Sequence, residues 1–256
     1  MTSLNAITGA NVQMVSEARY RQQHLLIDAD DTLWENNIYF EQAFEDFVRF
    51  LDHQHLSSAE IQAVLDEIEL ANRGPHGYGA RAYARSLRDT YRQITGVAED
   101  DPNLAAAEQL GLRILEQACE AIDGVEETIA ALRPHHDLYL FTKGHDDEQR
   151  RKVERSGLVG FFDAVLITSE KDHNAYREVV DTFGLDASRT WMIGNSPRSD
   201  INPALRAGLN AVWIPHPRTW HLEVEKIVRD PQTPGQLLHL ATFRELLTVF
   251  EATTAD

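Results

Sequence analysis

A chain of 256 residues, 43% of them apolar, has room for one large domain or for a core carrying an inserted second one, and can bury its core without disulfide staples. Its 24 Lys and Arg against 41 Asp and Glu give a formal net charge of −17, which argues against nucleic acid or an anionic membrane as partner, since both need clustered basic residues. The single cysteine, Cys119, allows no intramolecular disulfide, and no apolar run approaches the ~20 residues of a membrane span, so a cytoplasmic protein is expected.

Residues 1–23 show weak periodicity and no sustained apolar stretch of the kind a signal peptide carries; a loose arm or a short helix on the core is expected. Leu25, Leu26 and Ile27 then form a short apolar run that ends abruptly in Asp28, Asp30 and Asp31. This is how a strand buried on both faces of a parallel sheet reads where it leaves the core. Ligands of open α/β sheets bind outside the carboxyl ends of the strands, so the acids fall where chemistry is done. Two carboxylates ~4 Å apart repel by about 4 kcal/mol at an effective dielectric of 20, and packing them together calls for a cation or a shared proton. The cluster is either a metal site, an acid/base pair, or an Asp-rich turn that caps a helix.

Beyond Trp34 the pattern becomes helical. Phe40, Phe44, Phe47 and Leu51 share one face, and Ser57 with Glu60 forms a capping box ahead of Ile61, Val64, Leu65 and Ile68. The glycine-rich stretch 73–79 breaks the pattern. A third helix carries Tyr83, Leu87, Tyr91 and Ile94, and a fourth starts with Asp101 as N-cap and Pro102 at its first position, then continues to Ala118 with Cys119 as inert packing. Four amphipathic helices in succession suggest a small bundle. Arg81, Arg85, Arg88 and Arg92 make a stripe that is either a phosphate-facing surface or, more commonly, a solvated face paired with acids.

From Asp123 strands and helices alternate. Strands are expected at 138–141, 164–167, 191–193 and 211–214, with helices at 125–132, after Gly144, and from Lys171 to Phe183. The helix after Gly144 places Asp146, Asp147 and Glu148 in its first turn and Arg150, Arg151, Lys152 and Arg155 later, an order that complements the helix dipole and reads as structural. The fold class is therefore α/β, a parallel sheet with helices on both faces and an inserted helical bundle. Asp28 and Asp30, Thr142 and Lys143, Lys171, and Asn195 to Asp200 all follow strand ends, so all lie along one edge of such a sheet.

Asp28-Ala29-Asp30-Asp31-Thr32-Leu33 resembles the DxDxT signature of the haloacid dehalogenase-like (HAD) superfamily. Thr142 is similar to its second motif, Lys171 to its third, and Gly194-Asn195-Ser196-Pro197-Arg198-Ser199-Asp200-Ile201 to its fourth, in the same order. The resemblance implies a Rossmann-like core over 1–33 and 123–256 and a helical cap over 34–122. It further implies Asp28 as nucleophile, Asp30 as general acid and base, Thr142 and Lys171 on the transferred phosphoryl group, and Mg²⁺ held by Asp28, the Asp30 carbonyl, Asn195 and Asp200. Three departures stand out. Asn195 replaces the acid that usually follows the glycine, the prolines that often follow the third-motif lysine are missing from Lys171-Asp172-His173-Asn174, and Lys143 offers a competing cation that, with Asn195, is expected near the substrate.

His53 with His55, and His135 with His136, lack a helical pair with a third ligand and are expected at the surface or in loops. His145, His216, Arg218, Trp220 and His221 fall near the expected edge, with structural placement weighed ahead of substrate contact. The function expected is a Mg²⁺-dependent phosphatase of a small phosphorylated metabolite. Asp30 favours this over dehalogenation, since dehalogenating members lack the second acid. The alternatives are a phosphomutase, or a catalytically weak protein that binds a phosphorylated ligand or a partner, which Asn195 motivates. The substrate and the oligomeric state are not legible in the sequence.

Overall fold

The computed structural model describes residues 20–52 and 55–250, with residues 75 and 76 described by their backbone alone. Residues 1–19, expected to be an arm or short helix, and His53 lie outside these. Six strands, β1 (His24–Ile27), β2 (Asp137–Lys143), β3 (Ala164–Thr168), β4 (Thr190–Gly194), β5 (Asn210–Trp213) and β6 (Leu237–His239), form one sheet in the order β3-β2-β1-β4-β5-β6. Every pairing is parallel.

Side chains alternate across this sheet, which explains why both faces are covered. Leu25 and Ile27 join Leu138, Leu140, Trp191 and Ile193 in a core against α5 (Val125–Leu132) and the C-terminal helix (Leu246–Val249). Leu26 points the other way, to Tyr139, Phe141 and Met192, under Tyr176 and Val179 of the helix His173–Phe183. The strand order turns back on either side of β1. That reversal opens a crevice at its C-terminal end, next to β4.

Between β1 and α5, the helices α1 (Asn37–Leu51), α2 (Ser58–His76), α3 (Ala80–Thr95) and α4 (Pro102–Leu112) gather around their own apolar cluster of Phe47, Ile61, Leu65, Tyr83 and Leu87. The Ser57/Glu60 capping box forms, and the Asp101 side chain accepts from the Asn103 N–H at 2.8 Å. Two extended segments link this layer to the sheet and pair with each other: Glu35 N–H donates to Glu120 O at 2.9 Å and Ile122 N–H to Leu33 O at 3.0 Å.

Four sequence expectations need correction. The glycine-rich break begins later, because α2 continues through Arg73 and Gly74 to His76 and stops at Gly77, whose φ of 67° suits glycine. The fourth helix ends at Leu112 and tightens into a 3₁₀ turn over Arg113–Glu116, so Cys119 lies in the returning extended segment and not in a helix. Strand β6 was not expected; its three residues are too short to show alternation, and pairing with β5 decides their conformation. His136 is buried, with Nδ1 accepting from the Gln23 N–H at 3.1 Å and its ring edge-on to Phe250.

Candidate active site

Asp28 continues the β1 ladder by one bond, its N–H donating to Ile193 O at 2.9 Å, and the chain then turns tightly so that Leu33 N–H reaches Ala29 O at 2.8 Å. The turn brings the hydroxyl of Thr32 back to Asp28, where it donates to Oδ2 at 3.0 Å. Lys171 arrives from the far side of the sheet edge. Its Nζ donates to Asp28 Oδ1 at 2.5 Å and to Asp200 Oδ1 at 2.8 Å, and all three residues are buried.

Burial pushes the Asp28 carboxyl up, Asp200 pushes it further, and Lys171 works against both. Burial also opposes the charge on Lys171, yet Asp200 and Asp28 together hold its ammonium above the usual lysine range. The lysine is thus fixed as a cation between two carboxylates. Asp200 has its second oxygen occupied by the Ser196 N–H at 2.9 Å, and it packs so tightly on Gly194 that a Cβ there would lie 2.2 Å from Oδ2. Glycine at 194 is required by this close approach.

Asn195 extends Oδ1 to within 3.4 Å of the Thr32 hydroxyl and anchors its amide by donating to Thr219 Oγ1 at 2.9 Å. Thr142, buried at the end of β2, lines the same floor. Carboxylate and amide oxygens converge here, a donor set suited to a hard cation that keeps some of its waters. Burial first and then the neighbouring Asp200 raise the Asp28 carboxyl, and a cation placed between the two acids would relieve the second of these.

Asp30 is on the same rim but turns to other partners. It accepts from Lys152 Nζ at 2.7 Å, Gln149 Nε2 at 3.0 Å and Trp34 Nε1 at 2.8 Å. Burial works to raise its carboxyl, but Lys152, Gln149 and Trp34 together hold it below its ordinary range, as the anion. Asp31 does the work of the capping turn: at φ 60° it accepts the N–H groups of Asn36 and Asn37 at the start of α1, at 2.9 and 3.0 Å. It also lies near Glu35 and His216, which approach to cation-binding distance of one another. His216 Nε2 lies 3.4 Å from Glu35 Oε1 in this group.

Lys143 meets neither Asp28 nor Asp200. Its Nζ donates to Glu223 Oε1 at 2.6 Å and Ser199 Oγ at 2.8 Å and lies 4.2 Å from the Tyr78 ring centroid. Burial opposes the charge on Glu223, but Lys143 and the hydroxyls of Ser199 and Ser196 keep its carboxyl below the usual range.

Above this floor the helical layer encloses a cavity of about 840 Å³, to which Asn36, Asn37, Arg73, Tyr78 and Tyr83 contribute. Arg218, Trp220 and His221 line it from the core side, with Arg218 paired to Glu41 and His221 to Asp66, while Trp34 is buried below. The arginine stripe is a paired face: Arg81 meets Asp147 and Glu148, and Arg88 and Arg92 meet Glu99. Sequence reasoning missed Gln149, Lys152 and Glu223. The first two sit in the helix Asp146–Ser156, whose charge order reads as dipole complement, and Glu223 follows β5 in a segment without periodicity.

A family model described as a haloacid dehalogenase-like hydrolase matches residues 23–208. Phosphoserine phosphatase of Thermus thermophilus is 35% identical over 82 residues, 30% of this chain and 33% of that protein. N-acylneuraminate-9-phosphatase of Mus musculus is 32% identical over 98 residues, 36% of this chain and 40% of that protein. The chain thus spans between a third and two fifths of the length of these curated relatives. A solved haloacid dehalogenase-like family hydrolase from Xanthomonas campestris superposes with a TM-score of 0.73 at 28% identity, over 88% of this chain and 92% of that one. The matched model takes in the strand ends that bring Asp28, Thr142, Lys171 and Asn195 together, and on that ground the chain belongs to the haloacid dehalogenase-like hydrolase family.

Proposed function

We propose that this chain is a Mg²⁺-dependent phosphatase of a small phosphorylated metabolite, with residues 34–122 acting as a cap over a core formed by the rest. The observation that carries this reading is a buried Asp28 fixed against Lys171, with a second acid, Asp30, on the rim of the same cavity. The phosphatase names of two curated relatives support it.

In the proposed reaction an Asp28 carboxylate oxygen attacks phosphorus, the ester P–O bond breaks, and the leaving oxygen takes a proton from Asp30. Water then attacks the aspartyl-phosphate, Asp30 takes its proton, and phosphate leaves with Asp28 restored as carboxylate. Mg²⁺ held by Asp28, the Asp30 main-chain carbonyl and Asn195 would offset charge on the phosphoryl oxygens. Asp200, which also holds Lys171 from behind, would complete that ligand set. Lys171 works against protonation of Asp28 and balances the phosphoryl charge; Thr142 and Thr32 orient the group. Asp30 rests as an anion on Lys152, so protonating the leaving oxygen requires it to leave that lysine and collect a proton, whereas taking one from water does not.

Acid quenching during turnover of a phosphomonoester with Mg²⁺, followed by peptide mapping, tests the scheme. The expected result is a phosphoryl group on the Asp28 peptide that is absent in Asp28→Asn. Turnover with no adduct there, or with one elsewhere, contradicts it.

A further inference from the structure

Arg73 lies in the last turn of α2, on the roof of the cavity whose floor is Asp28. Its guanidinium carbon is 5.4 Å from the Tyr78 ring centroid and 5.0 Å from that of Trp220, so it is held between a loop of the helical layer and a loop of the core. Both rings present their faces to a cation, which fixes the position of the guanidinium without satisfying its N–H groups.

Those groups are the anomaly. Nε and Nη2 are sealed from solvent and have no hydrogen-bond partner among the described residues. A buried donor left unmade costs about 1–3 kcal/mol, and more when the group is charged, so the arrangement is costly as it stands. The other lysines and arginines lining the cavity are paired: Arg49 with Asp46, Lys143 with Glu223, Lys152 with Asp30, Lys171 with Asp28 and Asp200, and Arg218 with Glu41. On the same helix, burial and then Asp66 push the Glu69 carboxyl up to about 8 while Arg73 pulls it down, and no hydrogen bond joins Glu69 to Nε or Nη2 of Arg73. Asp66 itself is bonded to His221 at 2.9 Å.

We propose that Arg73 is a specificity residue that pairs with a carboxylate on the leaving group of the substrate, so that the preferred substrate is a phosphomonoester of a carboxylic acid. A carboxylate oxygen can pair with the guanidinium at Nη1, which is not among its sealed nitrogens, and offsets the charge that the buried Nε and Nη2 leave uncompensated. A carboxylate is favoured over a second phosphoryl group because a single guanidinium offsets one negative charge and leaves the second charge of a phosphoryl dianion uncompensated. The cavity, at about 840 Å³, has room for both ends of such a molecule. This inference rests on the phosphatase reading.

The test uses the full chain with matched probes: 3-phosphoglycerate against glycerol 3-phosphate for the carboxylate, and fructose 1,6-bisphosphate against fructose 6-phosphate for a second phosphoryl group. The wild type is expected to favour 3-phosphoglycerate in kcat/KM by ~10- to 100-fold, chiefly through KM, with no such gain for the bisphosphate. Arg73→Met should lower that ratio at least tenfold, and Arg73→Lys should restore part of it, with folding of both verified by circular dichroism. An unchanged ratio in Arg73→Met, or a preference carried by the bisphosphate, overturns the assignment while leaving the phosphatase reading intact. Calorimetric binding of the same probes in the Asp28→Asn background separates the two ideas. Arg73-dependent binding of 3-phosphoglycerate without turnover in the wild type sinks the phosphatase reading and keeps the carboxylate site; neither binding nor turnover sinks both.

Discussion

Glu148 ties the helical layer to the sheet layer, and its removal has a calculable effect. It is buried, in the helix Asp146–Ser156, and its carboxylate accepts the first N–H groups of α3: Ala80 at 2.9 Å and Arg81 at 3.3 Å, with Arg81 Nη1 at 3.0 Å. The residue before α3 is Gly79, which has no side chain to cap with, so Glu148 serves as the N-cap from another element and meets the positive end of the helix dipole. A lost cap costs about 0.5–2 kcal/mol and half of a buried charge-assisted pair roughly another 1–2, so Glu148→Ala should destabilise by about 1.5–4 kcal/mol. For a chain of this size that is a fall in Tm of roughly 6–12 °C, measurable by calorimetry or by the urea midpoint. Gly79→Ala tests the same contact from the other side, since at φ 105° its Cβ would meet Glu148 Oε2 at 2.4 Å. The double variant should therefore lose less than the sum of the two single losses. A shift below 2 °C for Glu148→Ala, or strict additivity in the double variant, would refute the reasoning.

Lys171→Met strands two buried carboxylates and should cost about 3–5 kcal/mol of stability as well as all measurable turnover; a stable, active variant contradicts its assigned place. Asn195→Asp should bind Mg²⁺ at least as tightly as the wild type by calorimetry, because it restores a charge at an oxygen already facing the Asp28 turn, and weaker binding would misplace Asn195. Glu69 gives a pH prediction. Its carboxyl rises from an ordinary 4.5 to about 8 in the folded chain, so folding favours the protonated form; the stability this contributes is whole below pH 4.5 and is lost as pH rises from there to about 8. Glu69→Gln should remove that loss, gaining on the order of 2 kcal/mol over wild type at pH 9 relative to pH 5 after discounting for partial exposure, and parallel urea midpoints across that range would contradict it.

The strand ends were readable because a strand buried on both faces leaves an unbroken apolar run, and its first polar residue marks the edge: Asp28, Thr142 and Asn195 are each found this way. The helical insertion was readable from period and caps, as Ser57, Glu60 and Asp101 show. What escaped was fixed by tertiary contact. Asp28, Asp30 and Asp31 look alike in sequence, yet one meets Lys171, one meets Lys152, and one caps α1. Lys152 sits among arginines of the same helix and differs from them only in what it faces. Glu223 reaches Lys143 across 80 residues of sequence, and nothing local in the loop around it signals a site. Arg73 was hidden by the glycines beside it, which suggested a loop where the helix runs on.

The most direct test of the account is phosphate release from a panel of phosphomonoesters, with and without Mg²⁺, by the wild type and Asp28→Asn. Mg²⁺-dependent release that disappears in Asp28→Asn is the predicted result. Release that survives the substitution, or that is indifferent to Mg²⁺, would contradict Asp28 as the nucleophile at the centre of this site.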